Sequence, residues 1–99
     1  MTAYELTPFD GRKSFYGKAT VHPQPDGVTV LRSYDTPVMA YDRATGELFQ
    51  ADGYPAEFAS ATTLRHMNAF SKTMTDTPRG KWDCAKLPYK DLTAYNIAR

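Results

Sequence analysis

Thr62 and His66 stand four residues apart in the stretch Ser60-Ala61-Thr62-Thr63-Leu64-Arg65-His66-Met67-Asn68-Ala69-Phe70. The apolar spacing there is helical, so a hydroxyl and an imidazole meet on one face. Such a pair is half of a nucleophile-and-base arrangement. The other half, a group that orients the imidazole and donors for an oxyanion, has no marker in the sequence, and a helical histidine bonded to a neighbouring loop needs neither. His22, His66 and Cys84 are ligand types for zinc, but structural zinc sites show short ligand pairs such as CxxC, and none occurs. Asp35, Asp42 and Glu47 fall at strand ends or turns, where carboxylates cap backbone N–H groups. Were they to converge, they could hold magnesium for a nicking nuclease. The six glycines are scattered singly, so no phosphate-cradling loop is present. The sequence therefore assigns no catalytic residue, no metal ligand and no cofactor.

Binding chemistry is better supplied. On the segment from Ser14 to His22, Tyr16, Lys18, Thr20 and His22 point one way, with Arg12 and Lys13 just before them. Arg32 and Tyr34, on the next strand, extend the same surface. Aromatics interleaved with cations suit single-stranded nucleic acid, because each stacked base contributes about 1 to 3 kcal/mol while Lys and Arg track phosphates. The competing reading is a solvated sheet face, or one covered by residues 79–99 or a second subunit. On the helix, Arg65 and Lys72 are the cations that could meet a partner.

These residues need a sheet and a helix to hold them. Alternation over Ser14–His22 places Phe15, Gly17, Ala19 and Val21 on a buried face. Pro23-Gln24-Pro25-Asp26-Gly27 reverses the chain, and Val28–Tyr34 returns as the second strand of a hairpin. Asp35-Thr36-Pro37 interrupts or bulges it; Val38–Tyr41 and Leu48–Gln50 then read as a third and a short fourth strand. Ser60 is an N-cap, and Leu64, Met67, Phe70 and Met74 form one stripe, predicting a helix over 60–74. Pro78 disfavours helix at Thr77. The expectation is an α+β fold in a single domain, 1–99: an antiparallel sheet of three to four strands packed on one main α-helix, with 14–74 as strand-strand-strand-strand-helix core and 79–99 as a C-terminal extension.

Composition sets the bounds. Ninety-nine residues build one modest core, and 41% hydrophobic with 23% charged residues is ordinary for a soluble domain. No apolar run approaches the ~18 residues of a membrane span, and Met1-Thr2-Ala3-Tyr4-Glu5-Leu6 lacks the basic and apolar regions of a secretory signal. One cysteine cannot form an internal disulfide, which fits a reducing cytoplasm. A net charge of +1 excludes the global positive field of dedicated nucleic-acid binders.

Three blocks, Lys13-Ser14-Phe15-Tyr16-Gly17-Lys18-Ala19, Leu31-Arg32-Ser33-Tyr34-Asp35-Thr36-Pro37-Val38 and the Ser60–Phe70 stretch, resemble those of a little-characterised family of small bacterial and phage-borne proteins, over roughly residues 12–72. In that family the third block usually follows a Gly-Tyr directly; here Pro55 to Ala59 intervene after Gly53-Tyr54. The strand-strand-strand-strand-helix order is also similar to that of transcriptional coactivators that bind single-stranded DNA as dimers, a fold some small phage inhibitors of CRISPR nucleases share. The resemblance implies a small oligomeric binding protein of a phage or mobile element, with a homodimer as the candidate assembly. Its partner would be a host protein or nucleoprotein complex, with an anti-CRISPR-like mode of action, or single-stranded nucleic acid. The contacts would be Tyr16, Lys18, Arg32 and Tyr34 on the sheet, or Arg65 and Lys72 on the helix.

Overall fold

The computed structural model describes residues 3–8, 15, 17–95 and 97. In chain order the elements are β1 (Tyr4–Glu5), β2 (Ala19–Pro23), β3 (Val28–Ser33), β4 (Thr36–Asp42), β5 (Leu48–Ala51), a 3-10 turn (Ala56–Phe58), α1 (Ala61–Thr75), α2 (Lys81–Ala85) and β6 (Tyr89–Lys90). Among the described residues the sheet has six strands, ordered β1-β2-β3-β4-β5-β6. All neighbours pair antiparallel except β6, which runs parallel to β5. This corrects the expected sheet of three to four antiparallel strands: the sheet is larger and mixed, and a short second helix joins the main one, while the α+β class holds. The cause is physical. β1 and β6 are two residues each, too short to show any alternation, and they exist because a neighbouring strand offers its edge.

The hairpin between β2 and β3 forms because Asp26 Oδ1 accepts from Val28 N at 2.9 Å while Gly27 takes φ 94°, a conformation that costs glycine nothing. Between β3 and β4 the register shifts after Leu31, so that Leu31 opposes Met39 and Arg32 opposes Pro37, leaving Val38 as the extra residue of a bulge. Helix α1 starts where its cap predicts: Ser60 Oγ accepts from Thr63 N at 3.2 Å. It ends on Asp76, left-handed at φ 64°, whose N–H bonds Lys72 O at 2.8 Å.

Residues directly opposed across strands share a face, which separates two cores. On one side Val21, Leu31 and Met39, opposed in register, pack with Met67, Ala69 and Phe70 of α1 and Cys84 of α2. On the other, Val28, Val30, Ala40 and Ala51 pack with Leu92, flanked by Phe49, Tyr95 and Ile97. The C-terminal segment is thus a cover for the second face. Leu92 is fully buried, and Tyr95 Oη donates to Asp26 Oδ2 at 2.8 Å, tying the segment to the β2–β3 hairpin.

Candidate functional site

A chain of hydroxyls leads from the helix start to the imidazole. Ser60 Oγ donates to Thr63 Oγ1 at 3.2 Å, Thr63 Oγ1 shares a hydrogen bond with Ser33 Oγ at 3.1 Å, and Ser33 Oγ lies 2.8 Å from His66 Nδ1. Thr63, Ser33 and His66 are all buried. The Thr62–His66 pairing expected from spacing does not form this site: Thr62 is exposed, and the partner of His66 comes from the end of β3, thirty-three residues away. Burial first, and the Arg65 guanidinium second, push the His66 pKa down to about 4, so the ring is neutral at physiological pH. A neutral imidazole on a serine hydroxyl has the atoms of a nucleophile and base, but at 3% exposure for Ser33 and 1% for His66 no substrate reaches them. Its role here is to fasten β3 to α1.

Above this network lies a row of rings and cations. The Phe15 and His66 rings meet edge to face with centroids 4.6 Å apart, and Arg65 Cζ sits 5.2 Å from the Phe15 centroid. The Tyr34 ring also meets the imidazole, with centroids 5.8 Å apart, and Lys18 Nζ is 5.5 Å from the Tyr34 centroid. The order is Lys18, Tyr34, His66, Phe15, Arg65, with the cations at the two ends and both of them exposed. Tyr34 is 46% exposed and holds φ 55°, a left-handed conformation that costs a non-glycine residue about 1 to 2 kcal/mol. A 2.6 Å bond from Tyr34 N to Lys18 O holds the turn in that shape. Beside the row, Phe15, Leu64, Arg65, Asn68 and Ala69 line an apolar groove of about 280 Å³ that Pro8 and Ala61 close.

The other expected contacts scatter. Tyr16, with Arg12 and Lys13, lies outside the described residues. Arg32 opposes Thr20 on the tail-covered face and is half-buried beside His22, whose pKa is lowered by burial and then by the Arg32 charge. The expected sheet surface is therefore divided. Arg32, Thr20 and His22 stay on one face, while Lys18 and Tyr34, just past the strand ends, turn toward the helix side. His22 is itself buried, with Nε2 2.8 Å from Thr20 Oγ1. Lys72 is engaged at the end of α1, where its Nζ meets Asp76 Oδ1 at 2.7 Å and holds that carboxyl below its usual pKa. Phe15 and Ser33 were missed as site residues, because the alternation marks them only as buried strand positions.

Nothing gathers the proposed metal ligands: among the described residues no group of three His, Cys, Asp or Glu side chains could hold an ion. Cys84 is buried, and burial pushes its thiol up to about 11, away from the thiolate a metal needs. Asp42 caps its own turn, accepting from Ala44 N at 2.9 Å and Thr45 N at 3.4 Å. Among the described residues no helix is long and apolar enough to cross a membrane.

No curated protein and no solved structure matches the chain. A family model does, over residues 4–85, a span that holds the whole row from Phe15 to Arg65 and stops short of Leu92 and Tyr95. The chain belongs to DUF8033, a family of unknown function.

Proposed function

We propose that this protein acts by binding, as an anti-CRISPR-like antagonist of a host nucleoprotein complex, carried by a phage or mobile element. The row from Lys18 to Arg65 is its contact surface. The observation that carries the reading is the pairing of two exposed cations with two rings that both contact one buried histidine. A cation held over a ring offers charge and an apolar face in one preorganised unit, which suits a partner that mixes phosphate with protein. The strained backbone at Tyr34 supports the same assignment, since asparagine or glycine would hold a left-handed turn at lower cost.

The test is cleavage of a target duplex by reconstituted CRISPR effector complexes, with and without the protein. Inhibition that falls at least tenfold in Lys18→Ala, Tyr34→Asn and Arg65→Ala, in variants with unchanged thermal stability, is the expected result. Unchanged inhibition in all three removes the row from the mechanism.

A second reading, a single-stranded nucleic-acid-binding module, is favoured by the Lys18–Tyr34 stack alone, which is the arrangement a base and its phosphate would use. Fluorescence anisotropy of a labelled oligonucleotide at low and physiological salt separates the two. The antagonist shows no affinity for free strand. The module binds, and loosens steeply as salt rises because released counterions return to the strand.

A further inference from the structure

Helix α1 carries more apolar surface than the core uses. Met67 and Phe70 are fully buried, whereas Ala61 is exposed and Leu64 half-buried. Ala61, Leu64, Arg65 and Asn68 recur at spacings of three and four, so they share one flank of the helix, and that flank is a wall of the groove of about 280 Å³. Pro8 and Phe15 form the facing wall. Both are held from nearby. The buried Leu6 donates its N–H to Ala19 O at 2.9 Å, two residues before Pro8. Phe15 O accepts from Lys18 N at 2.9 Å, and its ring meets His66 edge to face. The groove is thus formed before anything enters it, and all of its lining lies within the family match at residues 4–85.

The lining restricts what can enter. Pro8, Phe15, Ala61 and Leu64 offer carbon surface, and among the described residues no carboxylate lines the groove. Asn68 is already engaged, its Nδ2 donating to Arg79 O at 3.1 Å. Arg65 is the cation. It is exposed, its Cζ lies 5.2 Å from the Phe15 centroid, and among the described residues no acid forms an ion pair with it. An apolar groove with one cation and no acid is complementary to an apolar body that carries one negative charge. A carboxylate matches the guanidinium fork, accepting two parallel N–H bonds. A nucleotide would ask for several donors converging on its phosphates, and the groove has one cation. An added peptide strand would need free main-chain groups, but those on the flank of α1 are bonded within the helix. The volume lies just below the roughly 300 to 1,000 Å³ of sites for drug-sized ligands, which suits one small molecule.

We infer that this groove binds a small apolar monocarboxylate, an aliphatic or aryl acid whose carboxylate meets Arg65 and whose carbon body lies between Leu64 and Phe15. The inference goes beyond the antagonist reading and does not rest on it, although Phe15 and Arg65 serve both.

The probe is 4-phenylbutyrate, titrated into the isotope-labelled full chain while amide shifts are followed by NMR. Its control is 4-phenyl-1-butanol, with the same carbon body and no charge. Saturable shifts along residues 61–69 and at Phe15 are expected, with a Kd for the acid on the order of 1 mM and at least fivefold weaker binding of the alcohol. Arg65→Gln should erase that preference by weakening the acid alone. Ala61→Phe, at an exposed position, should fill the groove and weaken both probes at least fivefold with the melting temperature in place. An acid that binds no better than the alcohol, or that ignores Arg65→Gln, overturns the inference. So does the absence of saturable shifts, which leaves the groove to a partner's side chain or to solvent. The titration contains no effector complex, so it can succeed where the antagonist reading fails, and fail where that reading succeeds.

Discussion

The two faces of the sheet are closed by different means. One is covered by α1, whose Met67, Ala69 and Phe70 are all within the core and whose start is locked to β3 through Ser33, Thr63 and His66. The other is covered by an irregular segment in which, among the described residues, Leu92 is the fully buried apolar anchor and a side-chain bond from Tyr95 to Asp26 reaches the sheet's hairpin. The first closure lies within the family match at residues 4–85; the second lies beyond it. The contrast teaches that the first face, with its polar lock, is the scaffold for the cation–ring row, and the second is a cover added to a sheet that already stands.

Four measurements break or sharpen that contrast. The largest effect is expected from Phe70→Ala, which empties the centre of the first core and should cost about 3 to 5 kcal/mol in urea unfolding. A loss under 1 kcal/mol would dissolve the distinction between the faces.

Acid should come next. The folded pKa of His66 is lowered to about 4 from 6.5, so the fold favours the neutral ring. The stability this provides is fully present above pH 6.5 and drains away as pH falls toward 4, up to about 3 kcal/mol in all. His22, on the second face, is lowered in the same direction and adds to the same acid limb. A His66→Gln variant, which does not titrate, should flatten most of that limb; if His22→Gln flattens it instead, the polar lock of the first face is not what acid breaks.

Leu92→Ala is expected to cost about 2 kcal/mol, at the low end for a buried leucine because only a thin segment lies above it. It should also raise binding of a hydrophobic dye to the uncovered strands, with the hydrogen-exchange protection of α1 unchanged. The smallest effect belongs to Tyr95→Phe, which deletes the hydroxyl bond to Asp26 and should cost about 1 kcal/mol. Equal losses from Leu92→Ala and Phe70→Ala would mean that the two faces unfold as one.

What the sequence made legible follows the same division. β3 to β5 and α1 were readable because strand composition and a serine cap are local signals, and they appear within a few residues of where they were expected, whereas β2 begins at Ala19 and not at Ser14, with residues 14 and 16 outside the described residues. β1, β6 and the cover over the second face were not, since two-residue strands and a loop anchored by Leu92 take their conformation from what they touch. At the site, alternation correctly placed Thr20 and Arg32 side by side, as the register has them. It failed for Lys18 and Tyr34 because strand periodicity ends at Ala19 and Ser33, and the left-handed backbone at Tyr34 then sends the ring toward His66. The hydroxyl partner of His66 is Ser33 of β3 and not Thr62 on its own helix, and the sequence could not name it, because a contact between residues 33 and 66 leaves no periodic trace.

The parallel pairing of β6 gives the protein a timetable during synthesis. Five strands can be laid down as neighbours one after another, but the sixth must wait until the 39 residues from Asp52 to Lys90 have left the ribosome, roughly 2 to 8 seconds at ordinary elongation rates. For that interval, and until Leu92 follows, Val30 and Ala40 belong to a nascent sheet whose apolar side is wet, the kind of transiently exposed surface that invites aggregation and that the finished fold covers.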